Sequence, residues 1–255
     1  MGGALLKGWL SNGLDPKKIY VFEPNPSHWL KSLTKDGLNL NKKTSEKHDL
    51  CVIAVKPQVI SELLLNNKFN YSPTTLFVSI VAGIKLQKLS ELLDSEAPVV
   101  RVMPNTPAAL GKGVSCILAN EQTNDVQVKL VESLFSAVGR TFRLTDENQM
   151  DMVTAISGSG PAYVFYLIEA LAAAGVKLGL NHELSSELAG LTVSGAGMLA
   201  EQSDLPAHEL RVNVTSPNGT TDAALNILMD TKIGLFPLMR RAVLAACKRS
   251  KELGL

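Results

Sequence analysis

The sequence predicts an α/β protein with a doubly wound parallel sheet over residues 1–144, followed by an all-α domain over residues 145–255. Three observations carry this. Up to Leu144, short β-branched runs alternate with helical stretches, the order of strand–helix–strand units. The early runs are apolar without alternation, as in strands covered on both faces. Beyond Leu144 no strand pattern remains, and Ala- and Gly-rich apolar segments follow one another.

In chain order, strands are expected at residues 19–22, 50–55, 76–81, 99–103, 114–118 and 141–144. Helices are expected between them at 4–12, 26–36, 59–65, 86–93 and 126–138, the last ending at Gly139. Asp146 is placed to cap a helix running through Met150 and Ile156. Further helices follow at 161–177, 182–201, 221–229 and 234–252. Residues 161–174 and 188–199 are apolar nearly all round. In so small a domain that much apolar helix surface calls for a partner subunit.

Lys and Arg total 25 against 24 Asp and Glu, with a formal net charge of +1 and no concentrated basic stretch. Neither nucleic acid nor an anionic membrane surface is expected as a partner. Cys51, Cys116 and Cys247 are far apart, odd in number and set among apolar residues, as in a reduced, cytoplasmic protein. The four histidines lack metal-ligating spacing, so no metal is expected. The apolar run at residues 76–84 falls well short of the roughly 18 residues of a membrane span. No basic-then-apolar leader opens the sequence.

Four segments carry chemistry. Thr215-Ser216-Pro217-Asn218-Gly219-Thr220-Thr221 is a turn that delivers two threonines to a helix start. Free N–H groups and the positive dipole end there suit a small anion such as a carboxylate; a plain helix cap is the alternative. Ala54-Val55-Lys56-Pro57 and Val81-Ala82-Gly83 follow strands, at the sheet edge where ligands bind in doubly wound folds. Met103-Pro104-Asn105-Thr106-Pro107 sets an Asn between prolines, a stiff loop that would aim the Asn105 carboxamide into the same crevice. Ser157-Gly158-Ser159-Gly160-Pro161 lacks the strand and the spacing of a hydrolase nucleophile elbow. Its glycines instead let buried helices meet closely, with Pro161 in a first helical turn.

Together these motifs resemble the Δ1-pyrroline-5-carboxylate reductase family, from Met1 to about Leu253. The resemblance implies a Rossmann-type first domain, a helical dimerising second domain, and reduction of pyrroline-5-carboxylate to proline by NADPH or NADH. It implies cofactor contacts at Met1, Gly2, Glu23, Ala54, Val55, Lys56, Pro57, Val81, Ala82, Gly83 and Asn105. It implies a substrate-carboxylate loop of Thr215, Ser216, Gly219, Thr220 and Thr221, with Ser159 beside it and Thr221 near the ring nitrogen as the catalytic candidate. Glu23 ends the second strand, where a carboxylate grips a ribose diol and repels a 2′-phosphate, which favours NADH. Asn218 stands where relatives usually carry glycine, a substitution that a left-handed turn tolerates.

The resemblance also implies a first strand and two glycines ahead of Met1-Gly2 that the sequence does not contain. Without them, strands 19–22 and 50–55 should stay unpaired, about 10 Å apart rather than the usual 4.8 Å. A short form with impaired cofactor binding is one alternative. Another is a different imine reductase or a β-hydroxyacid dehydrogenase. The dehydrogenase would need a lysine early in the first long helix of the second domain, where residues 161–178 offer only Lys177 at the end.

Overall fold

The computed structural model describes residues 1–44, 47–66, 71–93 and 96–254, with the side chains at 66 and 71 left aside. The chain divides into two compact units, Met1–Gly158 with Cys247–Leu255, and Ser159–Ala246.

The first unit opens with α1 (Gly2–Ser11), β1 (Tyr20–Val21), α2 (His28–Ser32), β2 (Asn39–Leu40) and β3 (His48–Ile53). It continues with α3 (Ile60–Asn66), β4 (Tyr71–Ser79), α4 (Leu86–Leu92), β5 (Val99–Met103), β6 (Gly113–Ala119), α5 (Asp125–Ser136) and β7 (Gly139–Arg143). Strands β3 to β7 form one sheet in chain order. Three of its pairs are parallel, while β5 and β6 run antiparallel. The sheet is parallel as expected except at this one pair, where residues 104–112 are too few for a crossover, which takes a dozen or more. They form a single 3-10 turn at Thr106–Leu110.

Alternation along the central strands shows the double winding. Leu76 and Val78 of β4 and Val100 and Val102 of β5 pack with Leu5 and Trp9 of α1 and Phe135 of α5. The intervening Phe77 and Val99 pack on the other side with Ile60 and Leu64 of α3 and Leu89 of α4. Covering both faces explains why β5 is buried throughout and is apolar at every position but Arg101. Trp9 meets Phe135 edge-on at 5.7 Å and donates its indole N–H to the Leu134 carbonyl at 2.9 Å.

β1 and β2 make a separate parallel pair, Tyr20 opposite Asn39 and Val21 opposite Leu40. β2 was not expected; two residues, one of them Asn, carry no periodic signal. The expected non-pairing of strands 19–22 and 50–55 holds, since β1 bonds β2 and β3 bonds β4. After β7, the Asp146 carboxylate accepts the Asn148 N–H at 2.9 Å, but the N-cap of α6 (Asn148–Val153) is Glu147, without a side-chain cap bond, and not the expected Asp146. α6 widens into a π-helical turn at Thr154–Gly158. The sheet ends near the expected Leu144 boundary, but the division into compact units falls later, at Gly158, because α6 packs with the first unit and buries Met150 against Met103 and Leu118.

The second unit holds α7 (Gly160–Lys177), α8 (His182–Gln202), α9 (Ala207–Asn213), α10 (Thr220–Leu228) and most of α11 (Leu235–Leu253). α9 is short and polar, which hid it from the apolar pattern. α7 and α8 meet at small residues: a β-carbon on Gly175 would lie 2.9 Å from the Ser185 hydroxyl. Neither α7 nor α10 buries a residue within the chain. Phe165 is 58% and Phe236 78% exposed, with many aliphatic neighbours in sequence equally open. The continuous stretch Asn148–Lys177 is long and apolar enough to cross a membrane by length and composition.

Candidate active site

In the first unit the cofactor candidates gather around two backbone features. Met1 caps α1, its carbonyl accepting the N–H groups of Ala4 at 2.9 Å and Leu5 at 3.1 Å. Among the described residues, the Gly2 and Gly3 N–H groups have no partner, and the first turn carries no acid. A β-carbon on Gly2 would come 3.0 Å from that of Ala54, so glycine lets this helix end approach the exit of β3. Beyond Ala54 and Val55, exposed Lys56 leads into a 3-10 turn that begins at Pro57, with the Lys56 carbonyl accepting the Val59 N–H at 3.2 Å.

Glu23 is half-buried and held from both sides. Its N–H donates to Asn41 Oδ1 and its carbonyl accepts from Asn41 Nδ2, each at 2.9 Å. One carboxylate oxygen accepts the Asn25 N–H at 2.9 Å, closing the turn beyond β1. Asn41 adopts φ 51°, a left-handed conformation that Asn tolerates. Nothing in its sequence neighbourhood marked it as the clamp on Glu23.

At Val81-Ala82-Gly83, the Val81 N–H reaches Ser79 Oγ at 3.4 Å and Gly83 takes φ 81°. A side chain at Gly83 would strike the end of α11, with Leu253 Cβ at 2.9 Å and the Gly254 nitrogen at 3.0 Å. This neighbour lies 170 positions away in sequence and could not be read there.

Asn105 corrects the expectation of a carboxamide aimed into the crevice. It is buried, its Nδ2 donating to the Ser157 carbonyl at 3.0 Å and its Oδ1 accepting the Val114 N–H at 2.8 Å. A buried polar side chain is stable only when so satisfied. Sequence reading also missed Arg101, a charge inside β5 that is 3% exposed. Its Nη1 lies 2.5 Å from Glu147 Oε1, which also accepts the Leu86 N–H at 2.7 Å. This cluster joins β5 to the starts of α4 and α6.

In the second unit, the Thr215–Thr221 turn has the expected form. Thr215 donates its hydroxyl to the Arg211 carbonyl at 2.6 Å, anchoring the turn to α9. Asn218 takes φ 59°, as expected of a residue standing in for glycine. Its N–H meets Asp222 Oδ2 at 3.1 Å, and the Gly219 N–H meets the Ser216 carbonyl at 3.0 Å. Gly219 caps α10 without a side-chain bond. Among the described residues, the N–H groups of Thr220 and Thr221 and both hydroxyls lack partners. Thr221 is half-buried. Ser159, also half-buried, accepts the Ala162 N–H at 3.0 Å through its carbonyl.

Burial pushes the Cys51 thiol up to about 11 and raises that of Cys116. A hydrogen bond from Arg143 lowers Glu132, and the backbone N–H groups of Ile233 and Lys232 lower Asp230. Among the described residues no group of three His, Cys, Asp or Glu is arranged to hold a metal ion.

A doubly wound sheet with a helix start and strand-exit loops, joined to a helical unit bearing an anion-ready turn, defines a dinucleotide-dependent oxidoreductase. Residues 1–83 match the family model for NADP oxidoreductase, coenzyme F420-dependent, and residues 147–253 match the pyrroline-5-carboxylate reductase dimerisation model. Pyrroline-5-carboxylate reductase from Pseudomonas aeruginosa is 40% identical, covering 99% of this chain and 93% of that protein. That from Pisum sativum is 37% identical over 99% of this chain and 92% of its own length. The crystal structure of Plasmodium falciparum pyrroline carboxylate reductase with NADP bound superposes with a TM-score of 0.86 at 35% identity, covering 100% of this chain and 95% of that one. The Coxiella burnetii enzyme gives 0.86 at 32%, with the same coverage. The chain belongs to the pyrroline-5-carboxylate reductase family and is accordingly an oxidoreductase of proline biosynthesis.

Proposed function

We propose that the chain reduces the C=N bond of Δ1-pyrroline-5-carboxylate, giving L-proline, with hydride drawn from a reduced nicotinamide cofactor. The observation that carries this reading, beside family membership, is the N-terminus of α10. Two N–H groups and two hydroxyls without partners among the described residues form a donor cluster for one carboxylate. With the carboxylate anchored there, the Thr221 hydroxyl oxygen is placed to accept the N–H of the adjoining protonated ring nitrogen.

The first unit fits the cofactor. The free N–H groups of Gly2 and Gly3 suit a pyrophosphate, and close contact of Gly2 with Ala54 clears backbone for it. Glu23 keeps one carboxylate oxygen for a ribose diol, and its charge disfavours a 2′-phosphate, so NADH is the preferred donor. Exposed Lys56 and the Val81–Gly83 loop border the same strand exits. The cofactor supplies the hydride. The protein's task is alignment, because a protonated imine is already electrophilic at carbon and needs no strong acid or base.

We also propose that the subunit is a homodimer, or an oligomer of dimers, built through α7 and α8. This apolar surface, and not a bilayer, accounts for the composition of Asn148–Lys177. Three unpaired cysteines suit a reducing cytoplasm. A β-hydroxyacid dehydrogenase is disfavoured because α7 holds only Lys177, at its last position.

The experiment is to supply pyrroline-5-carboxylate with NADH or NADPH and follow loss of nicotinamide absorbance together with proline formation. Turnover with NADH favoured is the expected result. Cofactor binding without proline formation would point to another imine as substrate, and no binding of either cofactor would point to a non-catalytic form.

A further inference from the structure

Two motifs that stand 52 residues apart meet in one hydrogen bond, Asn105 Nδ2 to the Ser157 carbonyl. In an α-helix that carbonyl would receive the N–H of the fourth residue on. Here the fourth residue is Pro161, which has no N–H. The helical run is already widened at Thr154–Gly158, and its hydroxyls serve their own turn: Thr154 Oγ1 donates to the Met150 carbonyl at 2.7 Å, and Ser157 Oγ to that of Val153 at 2.9 Å. The missing donor is supplied from outside the helix.

Asn105 is built for that task. Val114 N–H fixes its Oδ1 at 2.8 Å, which turns Nδ2 toward Ser157. Its own carbonyl accepts the Ala108 N–H at 3.2 Å, and prolines at 104 and 107 stiffen the loop. The side chain is 7% exposed, so neither group exchanges freely with water. Gly158 lies over the preceding strand, where a β-carbon would stand 3.4 Å from Met103 Sδ.

We infer that Asn105 is a positioning residue: its carboxamide replaces the N–H that Pro161 lacks and fixes the backbone of residues 157–160, which presents Ser159. The inference rests on the proposed substrate-side role of Ser159. It gives Asn105 an effect on substrate handling and none on cofactor affinity, the reverse of a direct nicotinamide contact.

The test is a double-mutant cycle in the whole chain. Asn105→Asp keeps an oxygen for the Val114 N–H but removes the amide donor to Ser157. Pro161→Ala restores a backbone N–H four residues beyond it. Asn105→Asp should lower kcat/KM for pyrroline-5-carboxylate about tenfold, the scale of one buried hydrogen bond, and leave the cofactor KM within about twofold. Adding Pro161→Ala should recover most of the lost kcat/KM and of the lost Tm, a non-additive result. Additive effects, or a loss confined to cofactor affinity, overturn the inference. If Asn105→Asp does not fold, the double variant decides: folded and active upholds the coupling, unfolded refutes it. The Tm cycle is read without turnover, so a wild-type chain inactive on this substrate would sink the proposed reaction and not the coupling.

Discussion

At the scale of single residues, Thr221 is the sharpest test of the chemistry. The sequence left it open between ligand donor and helix cap. The structure gives the cap position to Gly219 and leaves the Thr221 hydroxyl without a partner among the described residues. Thr221→Ala should therefore cost little stability. It should lower kcat/KM by roughly 3- to 150-fold, from about 0.5–3 kcal/mol for one ligand hydrogen bond. A fall in Tm with unchanged kinetics would return Thr221 to structure. Glu23→Ser should move preference toward NADPH by about 1–3 kcal/mol, as removal of a partly screened charge beside a phosphate does; unchanged KM values for both cofactors would show that the carboxylate only closes its turn. Cys51 offers a pH prediction. The folded protein holds its thiol proton more tightly than an unfolded chain, whose thiol titrates at about 8.5. That contribution is complete below about 8.5 and is lost as pH rises through about 11. Urea midpoints should fall over this alkaline interval, and Cys51→Ala should flatten the decline. Thr221 and Glu23 were legible as candidates because motif and strand end flagged them. Asn105 was legible as unusual but not in its role, since its partners come from β6 and the π-helical turn after α6.

At the scale of elements, the α10 turn and the Arg101 cluster make contrasting predictions. Asn218 holds φ 59°, so Asn218→Gly should leave stability and activity near their starting values. Asn218→Val places a β-branched residue in the left-handed region and should cost about 1–3 kcal/mol, with substrate KM rising as the turn deforms. Equal behaviour of the two variants would show that the turn tolerates rearrangement. Glu147→Ala strands the Arg101 charge within the sheet and frees the Leu86 N–H. Removing one partner of such a pair costs about 3 kcal/mol, read from urea unfolding; a change under about 1 kcal/mol would mean that water reaches the guanidinium. Most strands and helices were legible from apolar runs and spacing. β2 and α9 were not, being too short for a period to emerge. The direction of β6 followed from loop length, a constraint that alternation of strand and helix does not express.

At the scale of the whole molecule, the second unit buries little of its apolar surface within one chain, and α8 buries only Ser185 and Ala189. Sedimentation at micromolar concentration should show a dimer or larger, with an interface well above the roughly 2,000 Å² at which obligate contacts begin. A monomer would contradict the proposed assembly.

The path of the chain between the units has a further consequence. It leaves the sheet unit at Gly158 and returns at Cys247, where Ser250 Oγ bonds Asp151 Oδ1 at 2.6 Å and Leu253 closes on Gly83. During synthesis, the sheet unit cannot finish folding when its own last strand emerges from the ribosome. It waits until residues 247–254 have been translated, more than a hundred residues after β7 ends at Arg143. The helices proposed to carry the subunit contact are thus made first, and on that proposal a nascent chain can find its twin before its sheet unit is complete.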